Sequence, residues 1–354
     1  MRPLQICIAP GEPGFLTPMR ITALHRALRH HVSDNNRSSP TSSADSTPAA
    51  PSSSPAILLA FEPAPSYKVP RAKDEDKVRS ELQQALHAPH LSAPGAKALG
   101  KSQDGFRNAE QQAAGEHSLK PDVMFSTHER AVYRGPGMLA LWPILDAKSP
   151  TLSKLRDEDA EKALANAAIA FLTRLYGDRG LGQVTHRPGL GLWVDSKHFR
   201  GARQIAGIEI FSRSSEQEEG EEKKEDESGP VSCRIDIYLD VPVRGPSETN
   251  PWTRLEDMGL GSQDTTSVAA ELSAAQNHNQ GEPMVTASAM EEFGAAFATE
   301  LGLEKPLLVG PEEAFGEDWR QMGYEEPVQD PSKRSWLADT LTLVGASAIF
   351  GFFE

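Results

Sequence analysis

Apolar residues recur with two distinct spacings along the chain, and long stretches show neither. Over 157–176, Ala163, Ala167, Ala170, Phe171 and Leu175 share one helical stripe, with Asp157 and Glu158 complementing the N-terminal dipole and Gly177 at the end. Met290, Phe293, Phe297 and Leu301 predict a second helix over 287–301 that Gly302 stops, and Leu24, Leu28 and Val32 an amphipathic one over 21–32. Strands are expected where short apolar runs meet turn residues: 57–61, ending at Glu62-Pro63, then 123–125, 138–145 and 190–194. The segments 204–211 and 233–241 alternate cleanly, as antiparallel strands with one solvated face do, and would form a hairpin with a swollen loop. This order predicts an α+β fold, a mixed and largely antiparallel sheet packed by helices, rather than a doubly wound one.

Between these blocks lie segments too polar to offset the entropy of ordering. Residues 35–55 are almost all Ser, Pro, Thr, Ala, Asn and Asp and read as a disordered insertion. Residues 71–119 read as a low-complexity insertion with a short helix near 78–86, 214–228 as an acidic loop and 269–283 as a further polar one. The domain would then comprise 1–34, 56–70, 120–213 and 229–304, followed by an extension over 305–354. The apolar stretch 336–353 reads as a packed helix, with a membrane-surface anchor as the minority alternative.

Composition narrows the function. The net charge of −14 argues against nucleic acid, whose phosphates need clustered Lys and Arg. Eight acids against Lys223 and Lys224 over 216–227 carry much of that charge in a solvated loop. Two cysteines, Cys7 and Cys233, suggest neither a disulfide framework nor a zinc site. Five arginines against two acids in the first 44 residues carry the bias of a mitochondrial transit region. His30, His31, His186 and His198 lack a metal-ligand spacing partner and read as solvated surface residues, and Asp236 and Asp240 as the wet side of a strand. No glycine pattern for nucleotide phosphates is present, and no cofactor or metal is implied.

Several short motifs fall in one order: 57–66, apolar residues then Glu62-Pro63; Tyr133-Arg134-Gly135-Pro136-Gly137; the helix 157–176; Arg187-Pro188-Gly189 with Leu192-Trp193-Val194; Ile205-Ala206-Gly207-Ile208; and Trp252 to Leu255, Gly259-Leu260 and Thr266-Ser267-Val268. In that order they resemble the lipoyl(octanoyl) transferases of the biotin and lipoate protein ligase superfamily, as a divergent, fungal-like member. The resemblance implies that superfamily's catalytic-domain fold, a monomer, and transfer of octanoyl from acyl carrier protein to a lysine of lipoyl domains. The family works through a cysteine thioester, which needs a thiolate favoured by a nearby ammonium, donors for the oxyanion and an apolar slot.

Transferred position by position, that chemistry meets substitutions. The family nucleophile falls on Met258, whose thioether forms no acyl thioester, and the family lysine on Ala202, with the always-charged Arg203 beside it. The substrate-binding turn falls on Thr127, His128, Glu129, Arg130, Ala131, Val132, Tyr133, Arg134, Gly135, Pro136 and Gly137, with His128 and Glu129 in place of two glycines and Arg134 in place of a histidine. The rest of the substrate-binding set falls on Ile205, Ala206, Gly207, Arg234 and Ile235, and a family asparagine on Tyr238. Cys233 is then either a relocated nucleophile, activated by Arg203, Arg234 or Lys197, or an inert strand cysteine. Arg187, Lys197, Arg200, Arg203 and Arg213 are either a docking surface for an acidic carrier protein or lipoyl domain, or an ordinary charged surface. Two readings stay open: an octanoyl transferase, and a catalytically inactive relative that binds an acyl carrier or lipoyl domain without transfer.

Overall fold

The computed structural model describes residues 3–8, 56–61, 63–84, 86, 121–126, 130–135, 137–145, 155–195, 201–211, 232–243, 245–260, 264–275 and 287–309. The helix expected over 21–32, the insertion 35–55, the acidic loop and the stretch 336–353 lie outside them. Eleven strands are described: β1 Pro3–Ile8, β2 Ala56–Phe61, β3 Ser66–Pro70, β4 Asp122–Ser126, β5 Val132–Arg134, β6 Met138–Leu145, β7 Gln183–Arg187, β8 Gly191–Asp195, β9 Ala202–Phe211, β10 Ser232–Tyr238 and β11 Glu304–Val309. The five described helices are α1 Glu75–Leu82, α2 Asp157–Tyr176, α3 Pro251–Asp257, α4 Val268–Ala275 and α5 Ala287–Glu300.

Eight strands form one sheet in the order β11-β1-β2-β6-β10-β9-β8-β7, antiparallel except at the β11-β1-β2 end. A second sheet, β4-β3-β5, lies against one face of it. The fold is therefore α+β, with a mixed, largely antiparallel sheet packed by helices, as the hydrophobic pattern predicts. Strand β2 is buried along its whole length because both its faces are covered, which is why its sequence is a continuous apolar run.

Helices α2 and α5 cover one face, here the helix face. Alternate residues of the central strands, Leu58 and Ala60, Leu139 and Leu141, and Cys233, Ile235 and Ile237, enter that core. The buried stripe of α2 runs through Ala160, Ala163, Leu164, Ala167, Ala168, Phe171, Leu172 and Tyr176. Ala170 is exposed and Leu175 only half-buried, a rotation of the expected stripe that lets α5 fit between Ala-rich turns and set Phe293 edge-on to Phe171, ring centroids 5.7 Å apart. Gly294 permits α5 to lie on β1, since a Cβ there would fall 2.1 Å from Ile6 Cδ1.

Three segment boundaries need correction. The insertion read over 71–119 begins with folded chain: α1, capped by Asp74, buries Leu82 against the small sheet, and Leu86 follows it. The polar stretch read from 269 contains most of α4, which buries Leu272 and starts at Ser267, whose Oγ accepts from Ala270 N. The extension read from 305 opens with β11, which pairs with β1 inside the main sheet.

Candidate functional site

The opposite face of the main sheet meets the small sheet, and Tyr133, Arg134, Gly207 and Arg234 of the substrate-binding set lie there, whereas Ile205, Ala206 and Ile235 enter the helix-face core. Strand β10 turns Arg234, Asp236 and Tyr238 toward this face, because Cys233, Ile235 and Ile237 take the helix face. Register carries Glu209 and Gly207 of β9 beside Arg234 and Asp236, and Met138 of β6 beside Tyr238. Strand β5 brings Arg134 from the small sheet, and β3 brings Lys68.

The result is a buried charge network between the sheets. Arg134 Nε donates to Asp236 Oδ2 at 2.8 Å, Arg134 Nη2 and Lys68 Nζ both donate to Glu209, and Arg234 Nη2 reaches Glu209 at 3.4 Å. Asp236 is thus not the wet side of a strand: it is only 4% exposed, because the small sheet roofs this face and supplies its cation. Burial alone would raise the Glu209 carboxyl, but Arg134, Arg234 and Lys68 outweigh it and hold it down at about 2. Burial likewise disfavours charge on Arg134, yet Asp236 and Glu209 raise its pKa.

A pH dependence follows from Glu209. Its folded pKa of about 2 lies below the ordinary 4.5, so between those values the unfolded chain binds the proton and the folded chain does not. The stability Glu209 contributes is complete above the ordinary value and is lost as pH falls through about 2, on the order of 3 kcal/mol. Urea midpoints measured down this window should fall more steeply for the wild type than for Glu209→Gln, and equal slopes would refute the assignment.

An aromatic group lines the side of the network nearer α3. Tyr67 and Tyr133 pack at 5.1 Å, and Trp252 meets Tyr133 at 6.0 Å and Tyr238 at 5.5 Å between ring centroids. Gly135 is required here, since a Cβ would meet Tyr133 Oη at 2.0 Å. Gly137, at φ +82, turns its carbonyl to accept from Leu239 N and Asp240 N, tying this turn to the end of β10. Met258 caps α3 and packs against the same aromatic cluster, and Gly259, at φ +69, follows it with Leu260 N donating to Leu255 O. Ala131 is buried beside Tyr133, whereas Arg130 and Val132 are half-buried. Thr127, His128, Glu129 and Pro136 lie outside the described residues.

At the lysine position a register shift decides the geometry. Leu192 pairs with Ala206 but Trp193 with Gln204, so Ile205 is the extra residue of a bulge. Ile205 and Ala206 both enter the helix-face core, and the parity of β9 reverses there. Ala202 and Gln204 thereby share the face of Gly207, while Arg203, paired with Val194, lies on the helix face. Arg203 therefore does not stand in for the family lysine. Segment 264–267 runs alongside: Gln204 N donates to Asp264 O and Thr266 N to Gln204 O, while Thr266 Oγ1 donates to the buried Glu271.

Cys233 corrects the relocated-nucleophile reading. It is 1% exposed and on the helix face, away from Arg234, and burial, then Glu161 and Asp157, push its thiol up to about 12. It has the placement of the inert strand cysteine. His186 is likewise no solvated residue: its Nε2 lies 2.9 Å from Glu161 Oε1, which also accepts from Gly189 N at 2.7 Å and so pins α2 to the β7–β8 turn. Of the five basic residues, Lys197, Arg200 and Arg213 lie outside the described residues. Arg187 stacks on Trp193 at 3.9 Å on the face opposite Arg203, so these two do not form one patch. Sequence reasoning missed Lys68 and Glu209 altogether, although the charged residue in the apolar run Ile208 to Phe211 was a visible signal. Among the described residues no group of His, Cys, Asp or Glu is arranged to hold a metal, and no helix is long and apolar enough to cross a membrane.

No protein-family model and no curated protein matches the chain. Solved structures similar to it include the bipartite lipoate protein ligase of Thermoplasma acidophilum studied with its E2 lipoyl domain, at 9% identity and a TM-score of 0.43 over 92% of this chain and 94% of that one. A lipoate-protein ligase A bound with ATP is similar at 11% identity and a TM-score of 0.38, over 92% and 95% of the two chains. LipL1 of P. falciparum in complex with lipoate is similar at 7% identity and 0.38, over 90% of this chain and 70% of that one.

Proposed function

We propose that the chain serves protein lipoylation by holding an acyl carrier protein or a lipoyl domain without forming a covalent acyl intermediate. The observation that carries this reading is the placement of side chains between the two sheets. Where the transferase chemistry calls for a thiol and an ammonium, the site face presents Met258 and Ala202, and Cys233 points into the opposite core. The motifs shared with the lipoyl(octanoyl) transferases, and the turn at Gly135 and Gly137 that they share, support the choice of partner. The arginine-rich start supports a mitochondrial setting. Because Pro3–Ile8 is an interior strand, targeting that leaves these residues in place is the form compatible with the fold.

Octanoyl transfer itself is the second reading, favoured by the segment 264–267, which runs along β9 beside Gln204, close to the position that the resemblance gives the family lysine. Incubation of the full chain with octanoyl-acyl carrier protein separates the two. The expected result is no octanoyl adduct by intact mass together with co-elution of carrier or lipoyl domain in gel filtration. An adduct, or octanoylation of an added lipoyl domain, would establish the transferase instead, and loss of both adduct and co-elution would sink both readings.

A further inference from the structure

The turn between β7 and β8 is bonded on both sides of the main sheet. On the helix face, Glu161 Oε1 accepts from Gly189 N at 2.7 Å and lies 2.9 Å from His186 Nε2. On the opposite face, Leu190 O accepts from Gln204 Nε2 at 2.8 Å. Neighbouring residues thus carry the two bonds, and the turn holds Gly189 at φ +72 and Gly191 at φ +125, conformations that glycine adopts without strain. Gln204 carries the connection further. Its N donates to Asp264 O and its O accepts from Thr266 N, and a Cβ on Gly207 would lie 3.9 Å from Gln204 Nε2 and 3.0 Å from Tyr238 Oη. The position of Leu190 therefore reaches the segment 264–267 and the edge of the charge network through one buried amide side chain.

The bond to Glu161 is one that a proton can alter. Imidazoles exchange their proton between about pH 5 and 8. Protonated, His186 is a cation against a carboxylate only 5% exposed; neutral, it leaves that charge buried with hydrogen-bond donors alone. The other groups on this face leave the pair distinct. On α2, Asp157 lies one turn before Glu161, and Glu158 and Lys162 are exposed. Strand β8 presents only Leu192 and Val194, β9 presents Arg203 opposite Val194, and β10 presents Cys233, which burial keeps as a neutral thiol. We propose that His186 and Glu161 form a proton-operated latch on the helix face that sets the position of Gln204 on the site face. A buried carboxylate that loses its cation gains by turning toward water, and the bond it then gives up is that to Gly189 N. The turn carries Leu190 O with it, and Gln204 Nε2 loses that acceptor. The latch is closed on the acid side of the range and loosened on the basic side. It serves carrier binding and acyl transfer alike, so it rests on neither reading.

The full chain, labelled with nitrogen-15 glutamine and carbon-13 histidine, is followed by NMR from about pH 5 to about pH 8, with Gln204→Asn and His186→Phe identifying the two side-chain resonances. The Gln204 side-chain amide should shift with the same midpoint as the His186 ring. In Glu161→Gln, whose amide oxygen can still accept from Gly189 N, the Gln204 shift should shrink at least about fivefold, because the charge that answers the proton is gone. In His186→Phe it should vanish. No pH-dependent shift at Gln204, a midpoint different from that of His186, or a shift reduced by less than that in Glu161→Gln would each overturn the proposal. The wild type alone tests the first two outcomes, so the proposal stays open to refutation even where a variant fails to fold. The chain is measured without a partner, which keeps this result separate from the co-elution experiment.

Discussion

Asp236→Ala is expected to lower the unfolding free energy by about 3–5 kcal/mol, because it leaves Arg134 and Arg234 to share Glu209 with Lys68 in the space between the two sheets. Both guanidinium groups are nine-tenths buried or more, so water cannot replace the lost carboxylate as it would at the surface. Asp236 also holds Arg134 Nε at 2.8 Å, which removes a charge-assisted hydrogen bond along with the countercharge. The double variant Arg134→Met with Asp236→Leu should lose clearly less than the single one, since it removes one buried cation together with its carboxylate. Urea unfolding of the three proteins decides the matter. A loss below about 1 kcal/mol for Asp236→Ala, the scale of an exposed pair, would mean that the network is wet and weak.

Phe293→Ala should cost about as much, 3–5 kcal/mol, by a different route. Its ring is fully buried, lies edge-on to Phe171 and stacks near Phe297, so truncation opens a cavity at the contact between α2 and α5. Little can collapse into that space, because the facing turns of α2 carry Ala163, Ala167 and Ala168, whose methyl groups have no reach. Phe293→Leu should recover more than half of the loss, and thermal unfolding of the pair checks it. A loss near zero would show that α5 is not seated on α2 as described.

The elements most legible in the sequence were those whose own residues make the core. The run 57–61 and the spacing of Met290, Phe293, Phe297 and Leu301 could be read because each element buries a face whichever neighbour covers it. Short elements that rely on a neighbour were not legible. Strand β7 carries only Val184 as a buried apolar residue, β3 ends on Pro70, and the Ala-rich α4 resembles polar insertion in composition. The face under the small sheet was legible only in part: Arg134, Gly207 and Arg234 lie on it, whereas Ile205, Ala206 and Ile235 enter the opposite core. Alternation along β10 correctly separated Cys233, Ile235 and Ile237 from Arg234 and Asp236, but nothing local says which side of a strand a second sheet will roof. The bulge at Ile205 has the same character: one extra residue moves Arg203 to the helix face, and a register shift leaves no mark in composition.

Strand β1 has a consequence for how the chain reaches its native state. It sits between β2 and β11, so its ladder on one side is completed only by residues 304–309, near three hundred positions later. A ribosome therefore releases most of the molecule before the first strand can be enclosed, and contacts of such separation slow the search for the native topology. The length of the intervening chain adds to this only slightly, because closure entropy grows with the logarithm of chain length, about 0.6 kcal/mol per doubling. The nascent chain should thus spend its synthesis with one edge of the sheet unguarded, dependent on chaperones until α5 and β11 emerge to close it.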